Sequence, residues 1–315
     1  MNDQEEYLIS YANLYCDLYN YQSNFLSETK LNSFYQNLYK GVPLCLPQNI
    51  KYFDYKTAKF FRINKKKFSK KIFNTENLNY IGNKKYFRYG DIFAYNIKLK
   101  HKYKKKFDFY VSSINSTKKK VKNFHRHKSS VCAMQIRNVP HFGHEAVFHH
   151  LIKKFDLLIL NPIFGIKKKK DFTDDLIKNS LKYIERKNKK IKFLHIWSNF
   201  HYAGPREAIH HMMLRENLGF KYFYVGRDHA GAENIYNPLA AIKVVKKLAK
   251  KFKIKPITSY GGYYCNKCRK YLIKGDCNHK NLINISGTKF RSALKQKSIY
   301  RHADNKLQKL IVDKL

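Results

Sequence analysis

Val131-Cys132-Ala133-Met134-Gln135-Ile136-Arg137-Asn138-Val139-Pro140-His141-Phe142-Gly143-His144-Glu145 passes from a short apolar run to a polar cluster and then to a helical pattern. Val131–Met134 reads as a buried strand, and the polar residues then fall at its carboxyl end, ahead of a helix over His144–Lys154. The free amides and positive dipole end of such a helix favour an anion. Gly143, between two histidines, lets backbone approach a ligand closely. Phosphate fits this description. Two histidines three apart can also be solvated or structural, and as a zinc site they lack a nearby third ligand.

Outward from this stretch the chain alternates short apolar runs with helical patterns. Strands are expected at Leu157–Leu160, Phe193–Trp197, Tyr222–Val225 and Pro256–Ser259, and helices at Asp174–Arg186, Arg206–Asn217 and Leu239–Phe252. Thr173 can cap the first of these with Asp174 and Asp175 in its opening turn, while Pro205 and Pro238 stand where a missing amide costs nothing. The alternation predicts an α/β fold, a parallel sheet with helices on both faces, whose ligand site lies beyond the strands' carboxyl ends. Two more strings fall at that edge: Tyr202-Ala203-Gly204-Pro205-Arg206-Glu207, and Gly226-Arg227-Asp228-His229-Ala230-Gly231. Ile285-Ser286-Gly287-Thr288-Lys289-Phe290-Arg291 offers hydroxyls and a glycine at a helix start, with Arg291 one turn on, which suits a triphosphate.

Residues 1–128 read differently, rich in Tyr, Asn and Lys and poor in apolar periodicity. A helix is expected within Glu5–Tyr39, short strands at Lys51–Tyr55 and Phe107–Ser112, and a linker over Ser116–Ser130. Met1–Ser10 is acidic and polar where a secretory leader is basic and apolar, and no run suffices to span a bilayer, so a cytoplasmic protein is expected.

The formal net charge of +42 would by itself argue for a polyanionic partner. The excess is mostly Lys, spread along the chain beside abundant Asn, Ile, Tyr and Phe, the residues of codons poor in G and C. Base composition is a sufficient cause, so nucleic acid is not an expected partner. Of the six cysteines, Cys16, Cys45 and Cys132 are scattered, whereas Cys265-x2-Cys268-x8-Cys277-x-His279 has the ligand pairing of a closed structural zinc site. Free cysteines and a nucleic-acid-binding ribbon are the competing readings. No GxxxxGK[ST] string is present, so no phosphate loop of that kind is expected.

The HxGH segment resembles the signature of the nucleotidyltransferase superfamily, and Gln135-x-Arg137-Asn138 before it resembles the QxRNPxHxxH signature of ATP sulfurylases. YAGPRE, GRDHAG and ISGTxxR are similar to strings of the same family in the same order. Val139 departs from the family's usual proline, Ile136 from a common threonine, and Ala232 and Glu233 from a common proline and glycine. The resemblance implies a Rossmann-like nucleotidyltransferase domain over 129–262. A reduced PUA-like α+β domain would precede it over 1–128, and a zinc ribbon, the ISGT phosphate loop and a C-terminal helical segment would follow over 263–315. It implies adenylyl transfer from ATP to sulfate, giving adenylylsulfate and pyrophosphate or the reverse, with magnesium accompanying ATP, a structural zinc on Cys265, Cys268, Cys277 and His279, and a homo-oligomer. Gln135, Arg137 and the backbone at Ala230 would hold sulfate, and Asn138 would lie near the transferred phosphate. His141 and His144 would bind the triphosphate. Gly226, Arg227, Asp228 and His229 would line the adenosine side, with Gln135 reaching the nucleotide too, while Ser286, Thr288 and Arg291 would complete the phosphate cradle. Another nucleotidyltransferase, a nucleic-acid-binding zinc protein and a catalytically drifted subunit stay open as alternatives.

Overall fold

A computed structural model describes residues 2–167, 171–229, 233 and 235–313. The amino-terminal part carries helices α1 (Glu5–Tyr15), α2 (Glu28–Gln36), α3 (Lys65–Phe68) and α4 (Ile81–Tyr86). Between them run short strands β1 (Leu46–Pro47), β2 (Phe53–Asp54), β3 (Lys59–Arg62), β4 (Ile92–Tyr95) and β5 (Lys98–Leu99). They pair antiparallel in two small sheets, β1-β4-β3 and β2-β5. The helix expected within Glu5–Tyr39 is broken in two, the chain turning where Asp17 adopts a left-handed φ of 52°. Of the strand expected at Lys51–Tyr55, only Phe53–Asp54 pairs.

Two expectations here are wrong. Phe107–Ser112 is not a strand and Ser116–Ser130 is not a linker, because Lys104–His127 is one helix of 24 residues, α5. Phe107, Tyr110, Ile114, Thr117 and Val121 recur at three- and four-residue spacing and are buried, with lysines filling the outer face.

The chain from Val131 then alternates as expected: β6 (Val131–Met134), α6 (Phe142–Lys154), β7 (Leu157–Leu160), β8 (Ile163–Phe164), α7 (Asp174–Lys187), β9 (Ile191–Phe193), β10 (Ile196–Trp197), α8 (Pro205–Asn217), β11 (Tyr222–Val225), α9 (Ala240–Leu248) and β12 (Lys255–Thr258). Thr173 Oγ1 accepts from the Leu176 amide and caps α7, and Pro205 opens α8. The single strand expected at Phe193–Trp197 is divided, β9 joining the main sheet while β10 pairs with β8. The main sheet is wholly parallel, in the order β12-β11-β6-β7-β9.

Side chains alternate across that sheet. Val131, Ala133, Leu157, Ile159, Phe223 and Val225 face a core shared with α8, α9, α5 and the amino-terminal part. Cys132, Met134, Leu158, Leu160 and Tyr224 face the other core, under α6, α7 and the last helices, α10 (Gly287–Lys295) and α11 (Asn305–Val312). Leu158, Ile159 and Leu160 are inaccessible to solvent, and each such burial is worth about 1.5–3 kcal/mol. The cysteine-bearing segment is an antiparallel sheet, β14-β13-β15, of β13 (Gly262–Cys265), β14 (Lys270–Ile273) and β15 (Leu282–Asn284). It packs against α6.

Candidate functional site

The strand order reverses between β6 and β11, and the cleft opens at that switch point, beyond their carboxyl ends. Its floor is the loop Gln135–His141, one wall is Gly226–His229, and the opposite wall is Gly261–Gly262 with Asn284–Thr288. The volume is about 1430 Å³, counting the part open to solvent. Gln135, Arg137, Asn138, His141, His144, Gly226, Arg227, Asp228, His229, Ser286 and Thr288 all line it. Ala230, and with it Ala232, lies outside the described residues.

The first turns of α6 and α10 both reach the cleft, so two positive helix ends meet there. Ser286 caps α10, its Oγ accepting from the Lys289 amide at 3.2 Å. On α6 the His141 amide donates to His144 Nδ1 at 3.3 Å. A ring nitrogen that accepts carries no proton, so neutral His144 bears its proton on Nε2 and has a donor to spare. Burial pushes His144 down to about 4 and His141, further lowered by its neighbour His144, to about 2. Both are therefore neutral at physiological pH. Gly143 serves a close approach, but to the chain itself: a Cβ on Gly262 would collide with the Gly143 carbonyl, and one on Gly143 would stand 3.2 Å from the Gly262 oxygen. The cysteine-bearing sheet is thereby locked onto the first turn of α6.

Arg137 makes no ion pair among the described residues and lies over the Phe200 ring at 6.0 Å. Gln135 Oε1 is buried without a hydrogen-bond partner. Arg227 bridges two walls, donating to Tyr263 Oη at 3.1 Å and Asn284 Oδ1 at 2.7 Å. Arg291 does not line the cleft. It stands behind it, donating to Asn138 Oδ1 at 3.0 Å and Thr288 Oγ1 at 3.4 Å, with Asp171 at 4.0 Å.

The Tyr202–Glu207 string, expected at the same edge, does not reach the cleft. Buried Arg206 donates to the carbonyls of Phe34, Asn37, Gly41 and Lys71, clasping the amino-terminal part to α8. Glu207 accepts from the amides of His201 and Ala203, both at 2.9 Å. Phe200, Tyr224, Tyr263 and Asn284 belong to the site or brace it and were not foreseen, since each lies outside the ordered strings, although Asn284 stands immediately before one of them and Tyr224 close before another. The spacing of Glu207 and His211, one turn apart on α8, was readable and points toward the cleft through His229.

Cys265, Cys268, Cys277 and His279 offer ligand atoms that all lie within 4.8 Å of one another. His279 Nδ1 is 3.4 Å from Cys265 Sγ and 3.3 Å from Cys268 Sγ. Three soft sulfurs and an imidazole at such separations suit a tetrahedral metal, zinc above all.

A family model described as ATP-sulfurylase matches residues 110–299. Among similar proteins, the sulfate adenylyltransferase of Ignicoccus hospitalis is 40% identical over 169 residues, covering 52% of this chain and 44% of that protein. That of Pyrococcus abyssi is 33% identical over 240 residues, covering 74% and 62%. The matched stretches thus span about half of those relatives' lengths. A solved structure titled as a hexameric APS kinase from Thiobacillus denitrificans shares the fold, with a TM-score of 0.51 at 15% identity over 70% of this chain and 43% of that one. By the family match over more than half its length, this chain belongs to the ATP-sulfurylase family.

Proposed function

We propose that the chain is a sulfate adenylyltransferase, transferring the adenylyl group of ATP to sulfate with release of pyrophosphate, or running the reverse. The observation that carries this reading is Arg137, a cation without a carboxylate partner among the described residues, placed beside Gln135 at the foot of a cleft onto which two helix amino ends converge. Gln135 and Arg137, with the backbone at Ala230, hold the sulfate. Asn138, His141, His144, Ser286 and Thr288 hold the phosphates, Arg291 acting through Asn138 and Thr288, and Gly226–His229 the nucleoside side.

Sulfate is a poor nucleophile and both reactants are anions, so the work of the site is to bring them together and neutralise them. A sulfate oxygen attacks the α-phosphorus in line, and the bond to the bridging oxygen of pyrophosphate breaks with its electron pair leaving on pyrophosphate. No covalent enzyme intermediate is needed. Arg137 offsets the charge of sulfate, while the His144 Nε2–H and the α10 amides donate to oxygens on which charge grows. The nucleotide would carry magnesium with it. Cys265, Cys268, Cys277 and His279 would hold a zinc whose part is structural, fixing the sheet that forms one wall. We read residues 1–128 as a reduced PUA-like part, and the whole as a cytoplasmic homo-oligomer. No helix among the described residues is long and apolar enough to cross a membrane.

The test is ATP formation from adenylylsulfate and pyrophosphate by purified protein with magnesium. Activity is expected in that direction, together with pyrophosphate release from ATP that depends on sulfate. Sulfate-independent release would favour another nucleotidyltransferase, and no turnover either way would favour a drifted subunit.

A further inference from the structure

Behind the Gly226–His229 wall lies a run of buried groups that the reaction as read does not use. Glu207 and His211, one turn apart on α8, are wholly buried, with His211 Nε2 3.4 Å from Glu207 Oε1. His211 Nδ1 in turn lies 3.1 Å from His229 Nε2. Glu207 is itself pinned by the two amides it accepts from. His229 is half-buried and lines the cleft. Burial holds both imidazoles well below their ordinary range, with the Arg215 and Arg137 guanidiniums adding to it, so each carries a single ring proton at neutral pH.

The position of those protons follows from what each ring nitrogen faces. His211 Nε2 is buried without a hydrogen-bond partner, and the Glu207 oxygen 3.4 Å away, already accepting a backbone amide, repels a lone pair there and favours the ring proton on Nε2. His211 Nδ1 is then an acceptor, and the nitrogen facing it, His229 Nε2, must be the donor. That leaves His229 Nδ1 unprotonated and uncommitted to the relay.

We infer that Glu207, His211 and His229 form a tautomer-fixing relay that presents His229 Nδ1 to the cleft as a hydrogen-bond acceptor, selecting a donor group of the nucleoside, a hydroxyl or an exocyclic amine, over a phosphate oxygen. A phosphate oxygen has no proton to give at neutral pH, so a lone pair there repels it. His229 is thereby opposite in role to His144, whose geometry leaves a donor. The inference rests on the proposed function for its ligand but not for its protons. Glu207 and His211 act through His229 and are positioning residues.

Long-range ¹H–¹⁵N correlation on wild-type protein labelled at histidine reads the tautomers directly, with signals identified by their loss in His229→Gln and His211→Asn. The expected result is an Nε2–H tautomer for both rings at pH 7.5, and a shift of the His229 Nδ1 signal on adding ATP that inorganic pyrophosphate does not reproduce. An Nδ1–H tautomer or imidazolium at His229, or an equal response to pyrophosphate, overturns the inference. In kinetics, His211→Phe is expected to raise the KM for ATP about tenfold and to leave the KM for sulfate within about twofold, as loss of one hydrogen-bond constraint implies. His211→Asn, whose amide oxygen can still accept from His229, is expected to restore most of that loss. Equal rises for both substrates argue for a merely structural relay and overturn it too. Should His211→Phe not fold, the wild-type spectra decide, and should the chain make no adenylylsulfate, the tautomers and the response to ATP are still read.

Discussion

Arg137 and His144 do different things with their positions. Arg137 is a cation whose only partner among the described residues is the Phe200 ring, so Arg137→Ala is expected to leave the melting temperature within about 2 °C of wild type. Turnover is expected to fall about a hundredfold or more, on the order of 3 kcal/mol, because nothing else in the loop offers a bidentate cation to a dianion. Retention of a tenth of wild-type turnover would remove Arg137 from the sulfate site. In the proposed reaction His144 is a neutral donor, since its pKa of about 4 leaves it uncharged at pH 7. His144→Ala loses that donor and also leaves the His141 amide without its acceptor, so a small loss of stability, about 1 kcal/mol, accompanies slowed turnover in both directions. His144→Asn can accept from the same amide and still donate, and is expected to fall between Ala and wild type. Turnover and melting temperature measured on the three proteins separate the roles: normal turnover in the Ala protein, with a lowered melting temperature, would reduce His144 to a helix cap.

At the scale of elements, the sheet β14-β13-β15 carries the candidate metal ligands and also forms a wall of the cleft. Its Gly262 backbone is pressed onto Gly143 of α6, and Arg227 reaches across to Tyr263 and Asn284. Elemental analysis of protein purified without chelator is expected to find one zinc per chain. Cys265→Ser is expected to lose most of that zinc and to raise the KM for ATP more than that for sulfate, since the Arg137 loop stands on β6 instead. Full zinc content in the variant would place the metal elsewhere. The cysteine spacing was legible because ligand chemistry tolerates few alternatives, and the parallel sheet was legible because its strands are uninterrupted apolar runs. Helix α5 was not, because its buried positions are Phe, Tyr, Ile, Thr and Val set among lysines and asparagines, and a short window over Phe107–Ser112 resembles a strand. Most site residues were legible through ordered strings rather than through any single residue. Those strings did not separate a residue that faces ligand from one that braces it, so Arg206 turned out to clasp carbonyls and Arg291 to stand behind Asn138. Side-chain direction depends on packing that a linear motif does not contain.

For the molecule as a whole, the histidines matter more than the lysines that dominate its charge. The lysines are mostly solvated, and their mutual repulsion is a diffuse term that salt screens. The buried histidines are a concentrated one. His141, His210 and His211 are all but inaccessible, and burial lowers each pKa far below the ordinary value near 6.5. His144, His201 and His229, half-buried, are shifted the same way. In the unfolded chain all of them titrate near 6.5, so below that pH the unfolded state binds protons the folded state refuses, and stability falls with falling pH. The stabilising preference is whole above pH 6.5 and is lost progressively toward the folded pKa values, which for His144 is about 4. A histidine that stays unprotonated in the fold costs about 1 kcal/mol between pH 6.5 and 5.5, the unfolded ring being already half-protonated at 6.5, so His141, His210 and His211 together cost about 3 kcal/mol, a sizeable share of the 5–15 kcal/mol typical of a folded protein. The raised carboxylates Glu145 and Asp174 oppose this, because burial makes the folded state take their protons at a higher pH than the unfolded state does, so their penalty is relieved as pH falls through the raised folded values. Each proton taken up also adds to the positive excess, so salt should protect the protein more at pH 5.5 than at 7.5. Thermal melts at pH 7.5, 6.5 and 5.5 in low and moderate salt are therefore expected to show little change over the first step and a fall of about 5 °C over the second. A melting temperature level down to pH 5.5 would mean that the fold accepts those protons, and that the histidines under the cleft are cationic when the site works.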